Sequence, residues 1–162
     1  MPGLIENPEF PREDWRCMEV ADVLDAHDGR REIACDTCAA PVRFIHVLEH
    51  DGYDVAVAAC LGCSSSLTGN PAAARAFEAK TRARSDARDA WLAAPWRETP
   101  AGMLATEAGG LRMGVFPARN GGWGCRIEDT FFPARWSTPE QAKYALFEEY
   151  RALTGKRPRH DS

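Results

Sequence analysis

The sequence predicts an α+β chain, and three patterns carry that prediction. Residues 41–59 alternate apolar and polar side chains on either side of an Asp-Gly dipeptide, which reads as a hairpin. Asn70-Pro71 opens an Ala- and Arg-rich run with the composition of a long helix. Four short β-like runs then precede a second, capped helix.

In the hairpin, Val42, Phe44, His46, Leu48 and His50 point one way, and Arg43, Ile45, Val47 and Glu49 the other. Asp51-Gly52 supplies the turn by readily taking positive φ angles, and Tyr53–Ala59 returns. Ahead of it, residues 1–14 are rich in Pro and Glu and are expected to lie extended or loose. Trp15–Val23 reads as a short strand or turn, and residues 26–32 as a polar loop.

The long helix has Asn70 as N-cap and Pro71 in its first position, and ends near Ala94, before Pro95. Its apolar residues are sparse, so much of its surface is expected to be solvated or to face a partner. Beyond Trp96, residues 103–107, 111–116, 123–128 and 131–136 read as strands, with Gly109-Gly110 and Asn120-Gly121-Gly122 as turns. Thr138 then caps a helix with Pro139 in its first position, Gln141 closes a capping box, and Gly155 ends it. Its apolar stripe is Ala142, Ala145, Leu146, Tyr150 and Leu153. The expected organisation is a hairpin module over 1–69, a connecting helix over 70–95, a sheet-plus-helix module over 96–155 and a polar tail over 156–162.

The cysteines carry the chemistry. Cys35-x2-Cys38 and Cys60-x2-Cys63 are separated by 21 residues. Two such pairs are a strong signal for a tetrahedral zinc ion held by four thiolates. The spacer is a little long, and the hairpin repairs the geometry by returning its far end, with Cys60 and Cys63, towards Cys35 and Cys38. This makes the front module zinc-ribbon- or treble-clef-like. A small module of this kind gains the stabilisation that a limited core cannot supply. The competing reading is a thiol redox regulator using Cys35 and Cys38, but the strand–helix–strand context of a redox pair is missing around them.

Other residues are weaker candidates. His46 and His50 form an H-x3-H pair, but on a strand they lie about 13 Å apart, too far to share an ion. They are expected as polar groups on a half-exposed strand face. Cys17 and Cys125 have no close cysteine partner and are expected as small buried residues. Ser64-Ser65-Ser66 is expected as a loop that donates hydrogen bonds to the sulfurs. No nucleophile–base motif, phosphate loop or paired-carboxylate motif stands out, so the expectation is a binding protein without an enzymatic activity or a small-molecule substrate.

Composition limits the partner. The net charge of −4 is uneven: residues 1–34 carry nine acids against four bases, whereas residues 70–98 carry six bases against four acids. In that basic stretch Arg75, Lys80, Arg82, Arg84 and Arg88 could meet phosphates, and Trp91 could stack on a base. Interleaved Glu78, Asp86 and Asp89 offer internal pairs and favour an ordinary solvated helix. The expected partner is a macromolecule, nucleic acid or protein. No run is apolar and long enough to span a membrane, and the first residues lack the features of an export signal. The expected compartment is the cytoplasm, where thiols stay reduced.

These residues together resemble an uncharacterised family of small bacterial proteins. The resemblance rests on Trp15-x-Cys17, the first cysteine knuckle, Arg43-Phe44-Ile45-His46 and the second cysteine element. It continues through Gly69-Asn70-Pro71-Ala72-Ala73-Ala74-Arg75, Trp96-Arg97, Gly121-Gly122-Trp123 and Glu140-x-Ala142-Lys143, and spans residues 15–150. It implies the same architecture and metal ligands, and no activity. A fainter, topological resemblance links residues 137–153 to the last helix of a double-stranded-RNA-binding domain, though only Lys143 stands where that domain carries its basic cluster.

Overall fold

A computed structural model describes residues 3–161, which fall into two compact units that divide between Ala83 and Arg84. No helix among the described residues is long and apolar enough to cross a membrane.

The first unit is built on a three-stranded antiparallel sheet ordered β1-β4-β5, from Arg16–Asp22, Phe44–His50 and Tyr53–Ala59. Phe44, His46 and Leu48 are all buried, so the alternation read from the sequence does define one inner face. The run expected over 41–50 is broken at Arg43. Pro41–Val42 (β3) leaves the main sheet to pair with Ile33–Ala34 (β2), forming the ladder that frames the first cysteine knuckle. The Asp51-Gly52 turn closes the hairpin at the His50–Tyr53 pair without a positive φ at either residue, and the Gly52 N–H donates to His50 Nδ1 instead.

Residues 3–14 are not loose. Leu4–Glu6 forms a 3-10 turn whose Leu4 N–H donates to the Asp36 carbonyl at 2.7 Å. Phe10 is buried, stacks on Trp15 with centroids 5.1 Å apart and meets the edge of Tyr53. The core of this unit needs that segment: Phe10 and Trp15 join Leu48, Val57, Ala59 and Leu67 in one cluster.

Two helices follow the hairpin. Leu61–Thr68 (α1) begins at the second cysteine pair, and Gly69 ends it in the left-handed region with φ 64°. Then Pro71–Ala93 (α2) starts as expected, with Asn70 Oδ1 accepting from the Ala73 N–H at 3.0 Å. The division between the two units falls inside it. In the first unit Thr81 Oγ1 donates to the Val20 carbonyl, and in the second Trp91 sits in the core.

The second unit holds a five-stranded antiparallel sheet ordered β10-β9-β8-β7-β6. Its strands are Arg97–Glu98 (β6), Leu104–Ala108 (β7), Leu111–Pro117 (β8), Trp123–Ile127 (β9) and Thr130–Phe131 (β10). The strand expected over 131–136 reduces to Phe131, with one isolated bridge from Trp136 to Trp123. Pro139–Thr154 (α3) packs on β8 and β9. Its Thr138 cap accepts from the Gln141 N–H, while Gln141 Oε1 takes the Ser137 N–H, one residue before the cap. The buried stripe is Ala142, Leu146, Phe147 and Tyr150, and Leu153, expected inside, is 64% exposed.

The polar tail is also tied down. The ring of His160 stacks on Trp91 with centroids 4.3 Å apart, and its ring nitrogens meet Thr106 Oγ1 and the Trp91 carbonyl. The Asp161 carboxylate accepts from the N–H groups of Gly109 and Gly110.

Candidate metal centre

The first knuckle, Cys35 to Cys38, is the loop of the β2–β3 ladder. Its tight reversal puts Ala39 at φ 63°, with the Ala39 N–H donating to the Cys35 carbonyl and the Cys35 N–H to the Ala40 carbonyl, each at 2.8 Å. Asp36 binds the knuckle to the hairpin. Its N–H donates to the Ala58 carbonyl, and its carboxylate accepts from the Ala58 N–H at 2.7 Å.

The second pair occupies a helix start. Cys60 is the N-cap of α1, and its Sγ accepts from the Cys63 N–H at 3.4 Å. The Cys60 N–H reaches across to Cys35 Sγ at 3.2 Å. A thiolate at the N-terminus of a helix is favoured by the unsatisfied amide groups there and by the helix dipole.

The four Sγ atoms lie within 4.8 Å of one another, and Cys38 Sγ is 3.9 Å from Cys60 Sγ. Four sulfurs at ~2.3 Å from a tetrahedral ion stand about 3.8 Å apart. The donor set therefore fits a metal of that size with little rearrangement. None of the six cysteines is in a disulfide.

The electrostatics of the metal-free sulfurs are uneven. Burial pushes the Cys35 thiol up, but N–H groups of Cys38, Cys60 and Thr37 and the Cys38 thiol outweigh it, so Cys35 lies below the ordinary thiol range. Burial raises Cys60 and, much further, Cys63, with neighbouring sulfurs adding to the shift at Cys63. Such a cluster resists holding four charges without a cation. A metal removes that conflict, because a coordinating thiol is deprotonated outright.

Several sequence expectations fail on geometry. Ser64–Ser66 is part of α1, not a loop: Ser65 Oγ donates to the Leu61 carbonyl, and the buried Ser64 Oγ has no partner among the described residues. His46 is not on a half-exposed face. It is fully buried, does not join the four-sulfur group, and its Nε2 lies 2.9 Å from Glu78 Oε2. Cys17 is half-buried beside it, and Cys125 is fully buried as expected.

The basic residues of α2 differ in burial and in partners. Trp91 is 1% exposed, with its Nε1–H donating to the Lys143 carbonyl, so it cannot stack on a base. Arg88 is 2% exposed and paired with Asp89, and Arg84 meets Tyr144 and Glu148. Arg82 pairs with Glu78 and lies 4.1 Å over the Phe44 ring. Arg75 and Lys80 are exposed. The sequence pattern missed the burial of Arg88 and Trp91 because an amphipathic stripe made of Ala, Trp and paired arginines has little hydrophobic contrast.

Comparison with family models, with curated proteins and with solved structures returns no match.

Proposed function

We propose that this chain is a structural-zinc protein that acts as a binding adaptor for a macromolecular partner. The observation that carries the metal reading is the convergence of four cysteine sulfurs within 4.8 Å. An all-thiolate tetrahedral set suits zinc, and a closed shell of four protein ligands leaves no position for water or substrate. The ion then supplies shape. A knuckle, a hairpin and the first turn of a helix around one ion amount to a treble-clef-like arrangement. A reducing compartment such as the cytoplasm keeps these thiols available.

The burial of Arg88 and Trp91 removes the stacking residue and one phosphate contact from the nucleic-acid reading. Arg75, Lys80 and Arg82 remain as its surface residues in the first unit. A protein partner is the second reading. It is favoured by exposed apolar side chains in that unit, Met18 at 55%, Val55 at 65% and Phe77 at 47%.

Metal analysis of protein purified without added metal tests the first claim, with one zinc per chain expected. A gel-shift series from 50 to 200 mM salt tests the second. Phosphate-dominated binding weakens steeply over that range and weakens further in an Arg75→Glu/Lys80→Glu variant. No shift at the lowest salt assigns the partner to protein.

A further inference from the structure

His46 and Glu78 are costly to bury, and the metal centre does not use them. The His46 side chain is fully buried and that of Glu78 is 7% exposed, in a small unit whose main hydrophobic cluster includes neither. The pair is one part of a longer chain of polar groups. On one side of the imidazole, Cys17 Sγ lies 3.8 Å from Nδ1. On the other, Nε2 lies 2.9 Å from Glu78 Oε2. Beyond that, Arg82 holds Glu78 Oε1 through Nε at 2.8 Å and its terminal nitrogen at 2.7 Å.

The roles follow from donor and acceptor inventory. Glu78 Oε1 accepts from Arg82, and the paired carboxylate presents Oε2 to the imidazole as an acceptor. Nε2 must then carry the imidazole proton, which leaves Nδ1 with its lone pair directed at the thiol of Cys17. A nucleophile, a base within reach and a carboxylate that fixes the base's tautomer are the parts of a thiol activation relay. The backbone adds one more feature. The β1–β4 register shifts between Cys17 and Glu19, a bulge of the kind that re-aims a side chain. Of the three groups, Cys17 has the most contact with solvent.

From this relay we infer a second functional site: Cys17 is a nucleophile, His46 its general base and Glu78 the group that positions His46, and the half-buried thiol takes a carbon electrophile small enough to reach it. The reaction balances without a further reagent. Cys17 Sγ forms the bond to the electrophilic carbon, the leaving group departs with its bonding pair, and the thiol proton passes to His46 Nδ1. The imidazolium so formed is held against Glu78, and its proton leaves with the displaced group on the Cys17 side. Burial raises the Cys17 thiol above its ordinary range, so the resting sulfur is protonated and the base acts during attack. The same thiol is 3.4 Å from the Glu19 carbonyl, a resting acceptor that the proton leaves when it turns to the imidazole.

The test is the alkylation rate of each cysteine by iodoacetamide at pH 6.5 in the metal-loaded full chain, read by peptide mass spectrometry beside N-acetylcysteine. A half-buried thiol without a base reacts more slowly than the free model thiol. The relay predicts that Cys17 reacts at least about 10-fold faster than that model, and that Glu78→Gln and His46→Gln slow it by roughly 100-fold with zinc content and far-UV circular dichroism unchanged. A Cys17 rate below that of N-acetylcysteine overturns the inference. So does a rate that is equal in wild type and in the folded variants. If either variant fails to fold, the wild-type comparison decides by itself.

Discussion

The backbone N–H of Cys60 lies 3.2 Å from the Sγ of Cys35, a residue 25 positions earlier in the chain. That contact joins the two cysteine pairs before any ion is considered. It also means that each half of the site depends on the other: the first knuckle supplies a sulfur that accepts from the start of α1, and α1 supplies the amide that helps Cys35 ionise.

Loss of one ligand should therefore do more than weaken metal binding. Cys35→Ser and Cys63→Ser are each expected to release the ion and unfold the first unit. Zinc binding at comparable small sites is worth ~10–16 kcal/mol, as large as the whole stability of a typical domain. Metal content and the far-UV circular dichroism melt check this. A variant that keeps one zinc per chain would place the ligands elsewhere. Chelation of the wild type should give the same unfolding as the substitutions.

Phe10→Ala should destabilise the first unit by about 3–5 kcal/mol, because the side chain is 2% exposed, stacked on Trp15 and set edge-on to Tyr53. Denaturant melts followed by tryptophan fluorescence measure it. A change under 1 kcal/mol would show that residues 3–14 contribute nothing to the core.

In the second unit, His160→Ala removes a ring stacked 4.3 Å from Trp91 and two polar contacts. It is expected to cost about 1–3 kcal/mol and to shift tryptophan emission to longer wavelength as Trp91 meets water.

Cys125 gives a pH dependence. Burial is the main cause that pushes its thiol up to about 12, so the folded chain holds a proton that the unfolded chain releases at the ordinary thiol value of 9.0. Stability from this group is fully present below the ordinary value and falls as pH rises from about 9 to 12. The slope approaches about 1.4 kcal/mol per pH unit. Cys125→Ala should flatten that alkaline decline relative to wild type in otherwise identical melts.

Much of this was legible in the sequence where a period or a spacing encodes it. The alternation through Phe44, His46 and Leu48 named the buried face, and the two cysteine pairs around a hairpin named the sulfurs that meet. Asn70, Thr138 and Gly155 marked helix ends because their local chemistry is strong enough to act alone. Two of the failures come from long-range pairing that no local pattern records. Glu78 looks like a solvated helix acid until β4 presents His46 to it. The tail looks polar until His160 finds Trp91, 69 positions earlier. Helix α1 was missed because Leu-Gly-Cys-Ser-Ser-Ser has poor helix propensity, and its fixed start at the Cys60 cap overrides that preference.

X-ray absorption at the zinc edge of the purified protein probes the coordination itself. Four sulfur neighbours at about 2.3 Å, with no nitrogen or oxygen in the shell, are the predicted result. A shell containing nitrogen or oxygen, or protein that is stably folded with no metal, would contradict the account.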